Sequence, residues 1–349
     1  MTLRYLPVAA ISLLVALGCG PTPTGTGGTG GTGATGGTGG TGGSAGGPRS
    51  TGPGDWRAGD YPPDLAAQTY LELAGIAGNQ GVTRQYKVHV PPSYNPQVPM
   101  PVVFCFHGLS QNAVMFCVNG AGLHTKADAA NFILVMPNGN ANRWNAGGCC
   151  AGTPALDEVA FVRAIFRELG THLNVNLDRV YATGLSNGGF MSYRLGCEAA
   201  DIFAAVAPGA GGLLSNQIGW GNAASDFAVC NPSEPVSVLD LHGTADGIVP
   251  FSLQAQSLNL MAQENGCGTT TARAADPASA GDTTCVSYTG CPSGIEVTGC
   301  SVQGGGHVWF GSDSCGTGAG PIGCTFVGAN SNTLKNTDEI WDFFSRHSK

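Results

Sequence analysis

Four apolar runs set the strongest limit on how this chain folds: "PVVFCFHG" (Pro101–Gly108), "FILVMPNG" (Phe132–Gly139), "FAAVAPGAG" (Phe203–Gly211) and "PVSVLDLHG" (Pro235–Gly243). None alternates with polar residues, so none can leave one face in water, and each ends in turn residues. Such runs are the buried strands of a parallel sheet covered on both faces. "DRVYATGLS" (Asp178–Ser186) reads as a further strand, and "RQYKVHV" (Arg84–Val90) alternates as a strand of the sheet's periphery does. The segments between them carry helical spacing: "GLHTKADAAN", "DEVAFVRAIFRELGTHL" (Asp157–Leu173), "NGGFMSYRLGCEAA" and "FSLQAQSLNLMAQENG". A last amphipathic helix is expected in "NTDEIWDFFSRHSK", with Asn336 as cap and Glu339 returning the bond. Strand–helix alternation from Pro101 to Asn265 predicts an α/β fold with a mostly parallel sheet between two helical layers.

The N-terminal part obeys other rules. Residues 1–18, "MTLRYLPVAAISLLVALG", join an early Arg4 to an apolar run too short to span a bilayer comfortably, as an export signal does. Cys19 follows directly, as in a bacterial lipoprotein signal, with Cys19 the lipidated residue; ordinary signal cleavage is the alternative, and both export the chain. Residues 19–60 are expected to form a tether dominated by Gly and Thr, with too little apolar surface to offset the entropy of ordering. Its glycine-rich part, as a flexible coil, would span roughly 30 Å. Residues 61–349 are expected to form one catalytic domain. Besides Cys19 there are twelve cysteines, an even number, which in an exported chain points to disulfides rather than metal ligands. Cys197 with Cys230 and Cys315 with Cys324 are suggested by proximity, while the adjacent Cys149 and Cys150 are not expected to bond each other. A net charge of −8 argues against nucleic acid and against electrostatic attachment to anionic lipid, leaving the lipid anchor as the one route to a membrane.

The pattern G-x-S-x-G occurs twice, in "GGSAG" (Gly42–Gly46) and in "GLSNGG" (Gly184–Gly189). Ser44 sits in the tether with nothing to hold a base beside it. Ser186 lies between a strand and a helix, where a tight turn lifts a nucleophile above the strand end and the helix N-terminus favours developing negative charge. A hydroxyl needs a base, and the base a third group to orient it. His307, in the glycine loop "GGGHVWFG", is the candidate base, and Asp246, in "LHGTADG", the candidate acid; both follow Ser186 in the order this architecture uses. His242 is read as bonding its own loop, His347 as solvated, His107 as shaping its loop, and Asp240 as structural. The backbone N–H groups of Asn187 and Leu109 are the candidate oxyanion donors. Trp144 and Trp309 are possible substrate-binding residues, with core packing as the alternative. No metal or organic cofactor is implied.

The motifs "FCFHGLSQN", "RWNAGGCCAG", "DEVAFVRAI", "RVYATGLSNGGFMSYRL", "FAAVAPGAG", "LHGTADGIVPF", "GGGHVWF" and "IWDFF", in this order, resemble the polyhydroxybutyrate depolymerase-like esterases, a group overlapping feruloyl and acetylxylan esterases. The resemblance covers roughly residues 84–347 and implies an α/β-hydrolase fold. It also implies a serine esterase that forms an acyl-enzyme, with Ser186, Asp246 and His307 at the family's catalytic positions. Two departures, Val308-Trp309-Phe310 after the base and Leu109 in the oxyanion loop, bear on substrate preference. The expected activity is therefore cleavage of a polymeric or oligomeric ester outside the cell. Hydroxybutyrate esters lead, plant cell-wall feruloyl or acetyl esters are the alternative, and a non-catalytic, surface-anchored binding protein is the reading from another class.

Overall fold

The computed structural model describes residues 48–67, 69–147, 149–150, 155–213, 230–268, 270–272, 281–312, 328–331 and 333–349. Cys19, Ser44 and the proposed Cys315–Cys324 pair lie outside them. The compact unit that holds these residues runs from Gly46 to Lys349.

The expected parallel sheet forms its centre. In chain order the strands are β1 (Gly59–Tyr61), β2 (Leu71–Leu73), β3 (Arg84–Val90), β4 (Met100–Phe106), β5 (Ile133–Asn138), β6 (Val175–Leu185), β7 (Ala205–Gly209), β8 (Ser237–Gly243), β9 (Thr270–Ala272), β10 (Thr283–Tyr288) and β11 (Val297–Val302). They pair in the order β1-β3-β5-β4-β6-β7-β8-β11-β10-β9, with β2 also on β3. From β5 to β11 every neighbour is parallel, and the antiparallel pairs are confined to the two ends.

Among the described residues, five α-helices cover the two faces: α1 (Leu123–Ala130), α2 (Glu158–His172), α3 (Asn187–Glu198), α4 (Ser252–Glu264) and α5 (Asn336–Ser345). Alternate residues of each central strand point to opposite faces, which divides the core in two. Val102, Phe104 and Phe106 of β4 pack with the apolar faces of α2, α3 and α4, whereas Val103 and Cys105 pack with those of α1 and α5.

Three expectations need correcting. The folded body begins before residue 61. Arg49 bonds Asp178, and Trp56 lies between Tyr61 and His172, with ring centroids 4.4 and 4.6 Å away, so these residues of the expected tether lie on the domain. The N-cap position of helix α5 is Lys335, which makes no side-chain capping bond, and not Asn336, whose buried amide has no hydrogen-bond partner. Asn336 sits one residue too far inside the helix to accept from its open N–H groups.

The third correction is covalent. Cys149 and Cys150 bond each other, alongside Cys105–Cys117, Cys197–Cys230, Cys267–Cys291 and Cys285–Cys300. Adjacent cysteines can join where the loop turns sharply, and here Cys150 has φ 67° while Ala146 N–H donates back to the Cys149 carbonyl.

Candidate active site

Ser186 stands at the carboxyl end of β6, between Leu185 and the first residue of α3, with φ 58° and ψ −120°. A non-glycine residue pays strain energy in this region, and it persists only where the surroundings impose it. They do so here through backbone packed against backbone. A Cβ on Gly188 would sit 1.9 Å from the Phe106 carbonyl oxygen, and one on Gly189 would sit 2.6 Å from that of Gly209. The Ser186 N–H donates to the same Gly209 oxygen at 2.9 Å. The side chain remains partly open to solvent while the neighbours on either side are buried. A strained, accessible hydroxyl at a helix N-terminus is the arrangement a nucleophile needs.

Asp246 lies in the loop after β8, and its carboxylate is saturated. Oδ1 accepts from the Ile248 and Val249 N–H groups at 2.8 and 2.9 Å. Oδ2 meets His307 Nδ1 at 2.7 Å and His242 Nε2 at 3.2 Å. Burial pushes this carboxyl up, but the hydrogen bonds from His242 and His307 outweigh it and hold the group well below the usual carboxylate range. With Nδ1 of His307 engaged by a carboxylate, the ring keeps its other nitrogen, Nε2, for a proton from elsewhere. His307 follows β11 and is nearly buried. The indole of Trp309, two residues on, lies 3.3 Å from the point where a Gly209 side chain would begin. The loop carrying the base is thus packed on the residue that receives the Ser186 N–H.

The loop after β4 reaches the same turn, because β4 and β6 are paired in register from Val102↔Val180 to Phe106↔Gly184. His107 there is fully buried. Its Nδ1 donates to the Gly108 carbonyl at 2.8 Å and its Nε2 accepts from Gly139 N–H at 2.9 Å, and burial lowers it to about 4, so the ring is neutral. Among the described residues the Leu109 and Asn187 N–H groups meet no protein acceptor, which leaves both open to a ligand oxygen. The Leu109 side chain is 47% exposed.

The two tryptophans are not at the surface. Trp144 is wholly buried against Phe106 and His107, with its indole N–H on the His107 carbonyl at 2.9 Å. Trp309 is equally buried, with its N–H on Thr337 Oγ1. Both brace the loops of the site from behind and offer no face to a substrate, because each indole spends its polar edge and ring faces on protein.

Sequence reasoning also passed over the side chain of Asn187. Its Oδ1 accepts from Trp144 N–H at 2.8 Å, its Nδ2 donates to the Trp144 carbonyl at 3.1 Å, and Nδ2 lies 3.8 Å from Cys149 Sγ. The residue after Ser186 therefore anchors the loop that holds the vicinal disulfide. No sequence signal marks this, since an Asn after the nucleophile reads only as a backbone donor. His347, read as solvated, is buried with Nδ1 on the Phe343 carbonyl. Among the described residues, no group of His, Cys, Asp and Glu side chains is placed to hold a metal ion.

Comparison with known proteins gives this arrangement a family. A family model described as "Putative esterase" matches residues 80–241. A relative named "Putative esterase NocK", from Nocardia uniformis subsp. tsuyamanensis, is 31% identical over 75% of this chain and 79% of its own length. Feruloyl esterase D from Neurospora crassa is 30% identical over 65% of this chain and 74% of its own. Feruloyl esterase B from Piromyces equi is 28% identical over 70% of this chain, but the match spans only 45% of that protein. Among solved structures, an acetyl xylan esterase from Aspergillus awamori superposes with a TM-score of 0.52 over 69% of this chain and 94% of its own, at 14% identity, a likeness of fold.

Proposed function

The chain belongs to the esterase family and is a carboxylic ester hydrolase, and we propose that it works through an acyl-enzyme on Ser186. In this reading Ser186 Oγ attacks the ester carbonyl while His307 Nε2 takes its proton. Asp246 keeps Nδ1 of His307 protonated and stabilises the imidazolium that forms. The Leu109 and Asn187 N–H groups receive the negative charge on the tetrahedral oxygen, each contributing about 3 kcal/mol to the transition state. His307 then returns the proton to the departing alcohol, and water repeats the sequence to release the acid.

The observations that support this reading are the saturated Asp246 carboxylate with His307 on it, in the loop after β8, and a serine held at φ 58° at the end of β6, two strands away in the same parallel sheet. Ser186→Ala should abolish hydrolysis of a nitrophenyl ester and Ser44→Ala should leave it intact; the opposite pattern would refute the assignment. For the substrate we propose esters of plant cell-wall polysaccharides, with the names of the feruloyl esterase relatives as support. The exposed Leu109 beside the turn suits an aryl or acyl group. A panel of methyl ferulate, acetylated xylan and hydroxybutyrate oligomers ranks the choices, and fastest turnover of the last would return the polyester reading to first place. The five disulfides among the described residues support an oxidising, extracellular setting. We further propose that residues 1–18 direct export, that Cys19 is lipidated, and that the glycine-rich segment tethers the enzyme to the envelope. Labelled palmitate recovered on the wild-type chain and absent from Cys19→Ala would support the anchor; equal labelling would exclude it.

A further inference from the structure

A second histidine shares the carboxylate of the candidate acid. His242 ends β8 and is fully buried. Its Nε2 faces two acceptors, the Val249 carbonyl at 3.0 Å and Asp246 Oδ2 at 3.2 Å, so this nitrogen carries a proton. Its Nδ1 has no hydrogen-bond partner and points toward Asp240 Oδ1, 3.9 Å away. A bare lone pair there would face a carboxylate oxygen across 3.9 Å of the buried interior, which is repulsive. A protonated Nδ1 would face it with opposite charge. The two oxygens of Asp240 are themselves taken up as acceptors: the Tyr193 hydroxyl donates to Oδ2 at 2.5 Å and the Gln254 amide to Oδ1 at 2.9 Å. That is how an ionised carboxylate is held.

We propose that His242 is a positioning residue of the active site: a resident imidazolium, clamped between the carboxylates of Asp240 and Asp246, that fixes Asp246 from beneath while His307 engages it from the cleft. The proposal rests on the Ser186–His307–Asp246 reading and deepens it. The pair that matters is then not one acid and one base but a buried chain, Tyr193–Asp240–His242–Asp246–His307, with the cation in its middle. The titratable groups facing His242 are Asp240 on its own strand and Asp246 in the following loop. Tyr193 of α3 acts through Asp240 and His307 through Asp246, while Phe251 contributes a ring edge. Burial opposes charge on His242, yet the hydrogen bond to Asp246 and the charges of Asp240 and Asp246 outweigh it and raise its proton affinity above that of an ordinary imidazole. Burial likewise pushes Asp240 up, against the pull of His242, Tyr193 and Gln254.

The positive charge proposed for His242 lies across Asp246 from His307, so removing it should show in the pH dependence of turnover. His242→Gln retains an amide donor for Asp246 but removes the charge. On a nitrophenyl ester its kcat/KM profile should shift its acid limb upward by about one pH unit, an approximately tenfold loss below the wild-type limb, with an alkaline plateau within about threefold of wild type. A limb that coincides with wild type, or a loss of equal size at every pH, would mean that His242 only packs, and the proposal falls.

If the variant does not fold, the wild-type chain still decides. Nitrogen-15 spectra of the His242 ring, assigned through its bonded carbons to the backbone, should show both nitrogens protonated at pH 7.5; a neutral ring overturns the proposal. The two readings separate cleanly. Turnover surviving in Ser186→Ala would refute the nucleophile and leave the His242 ring signal as expected, whereas a neutral ring with an inactive Ser186→Ala would refute only the clamp.

Discussion

Asp246 accepts from two backbone N–H groups and two imidazoles, so every lone-pair direction of its carboxylate is spoken for. Asp246→Asn turns one acceptor oxygen into a donor against a donor. It leaves the fold's shape but removes the correct tautomer of His307, and kcat should fall by about a thousandfold to ten-thousandfold with KM little changed. The same substitution should carry a signature in stability. The folded pKa of Asp246 is depressed, so its contribution is complete above the ordinary carboxylate value of about 4. That contribution fades as pH falls from there through the folded value. The gap in melting temperature between wild type and Asp246→Asn should therefore be constant from neutrality down to about pH 5 and close on further acidification; a gap that widened with acid would contradict the assignment. At this scale order along the chain singled out Ser186, Asp246 and His307, of which the structure joins Asp246 and His307 directly. What was not legible depends on three-dimensional neighbours. Nothing near His242 in sequence says that its Nε2 reaches Asp246 Oδ2. Nothing near Trp144 says that Phe106 and His107 will bury it.

At the scale of elements, the nucleophile turn is a contact between strand ends. Gly188 is the tightest point in that contact, with the Phe106 carbonyl where a side chain would start. Gly188→Ala must push β4 and α3 apart, and we expect a loss of at least about 3 kcal/mol in stability together with loss of esterase activity, checked by urea unfolding. The disulfides make a second element-scale contrast. Cys105–Cys117, Cys197–Cys230, Cys267–Cys291 and Cys285–Cys300 bridge separations of 12, 33, 24 and 15 residues. Each restricts the unfolded chain by about 3 to 4 kcal/mol in the loop-entropy account. Cys149–Cys150 closes no loop of consequence, having a separation of 1. Replacing Cys197 and Cys230 by Ala should lower the melting temperature by several degrees, whereas replacing Cys149 and Cys150 should leave it nearly unchanged and act on turnover, through Asn187. The strands and helices of the centre were legible from their apolar runs. The vicinal bond was not, because joining neighbours depends on a turn whose geometry is set by what packs under it.

At the largest scale, the unit from Gly46 to Lys349 is built on a sheet whose centre is secured by burial and whose far end is secured by covalent bonds. β6, β7 and β8, which present Ser186 and Asp246, have helices on both faces. His307 follows β11, next to the antiparallel strands β10 and β9 at the edge. Cys285 and Cys300 are direct register partners across β10 and β11, and both are buried. Heating with reductant should thus cost activity at a lower temperature than it costs helical signal by circular dichroism, and without reductant the two losses should coincide; coincidence in both conditions would show that the edge holds without its bond. The cross-strand bond also bears on where the site is fully held together. Under reducing conditions the chain would hold Ser186 and Asp246 on a centre secured by burial, and His307 beside an edge that lacks its covalent tie. The strand that leads into the His307 loop is thus tied to its neighbour by a bond that only an oxidising setting maintains.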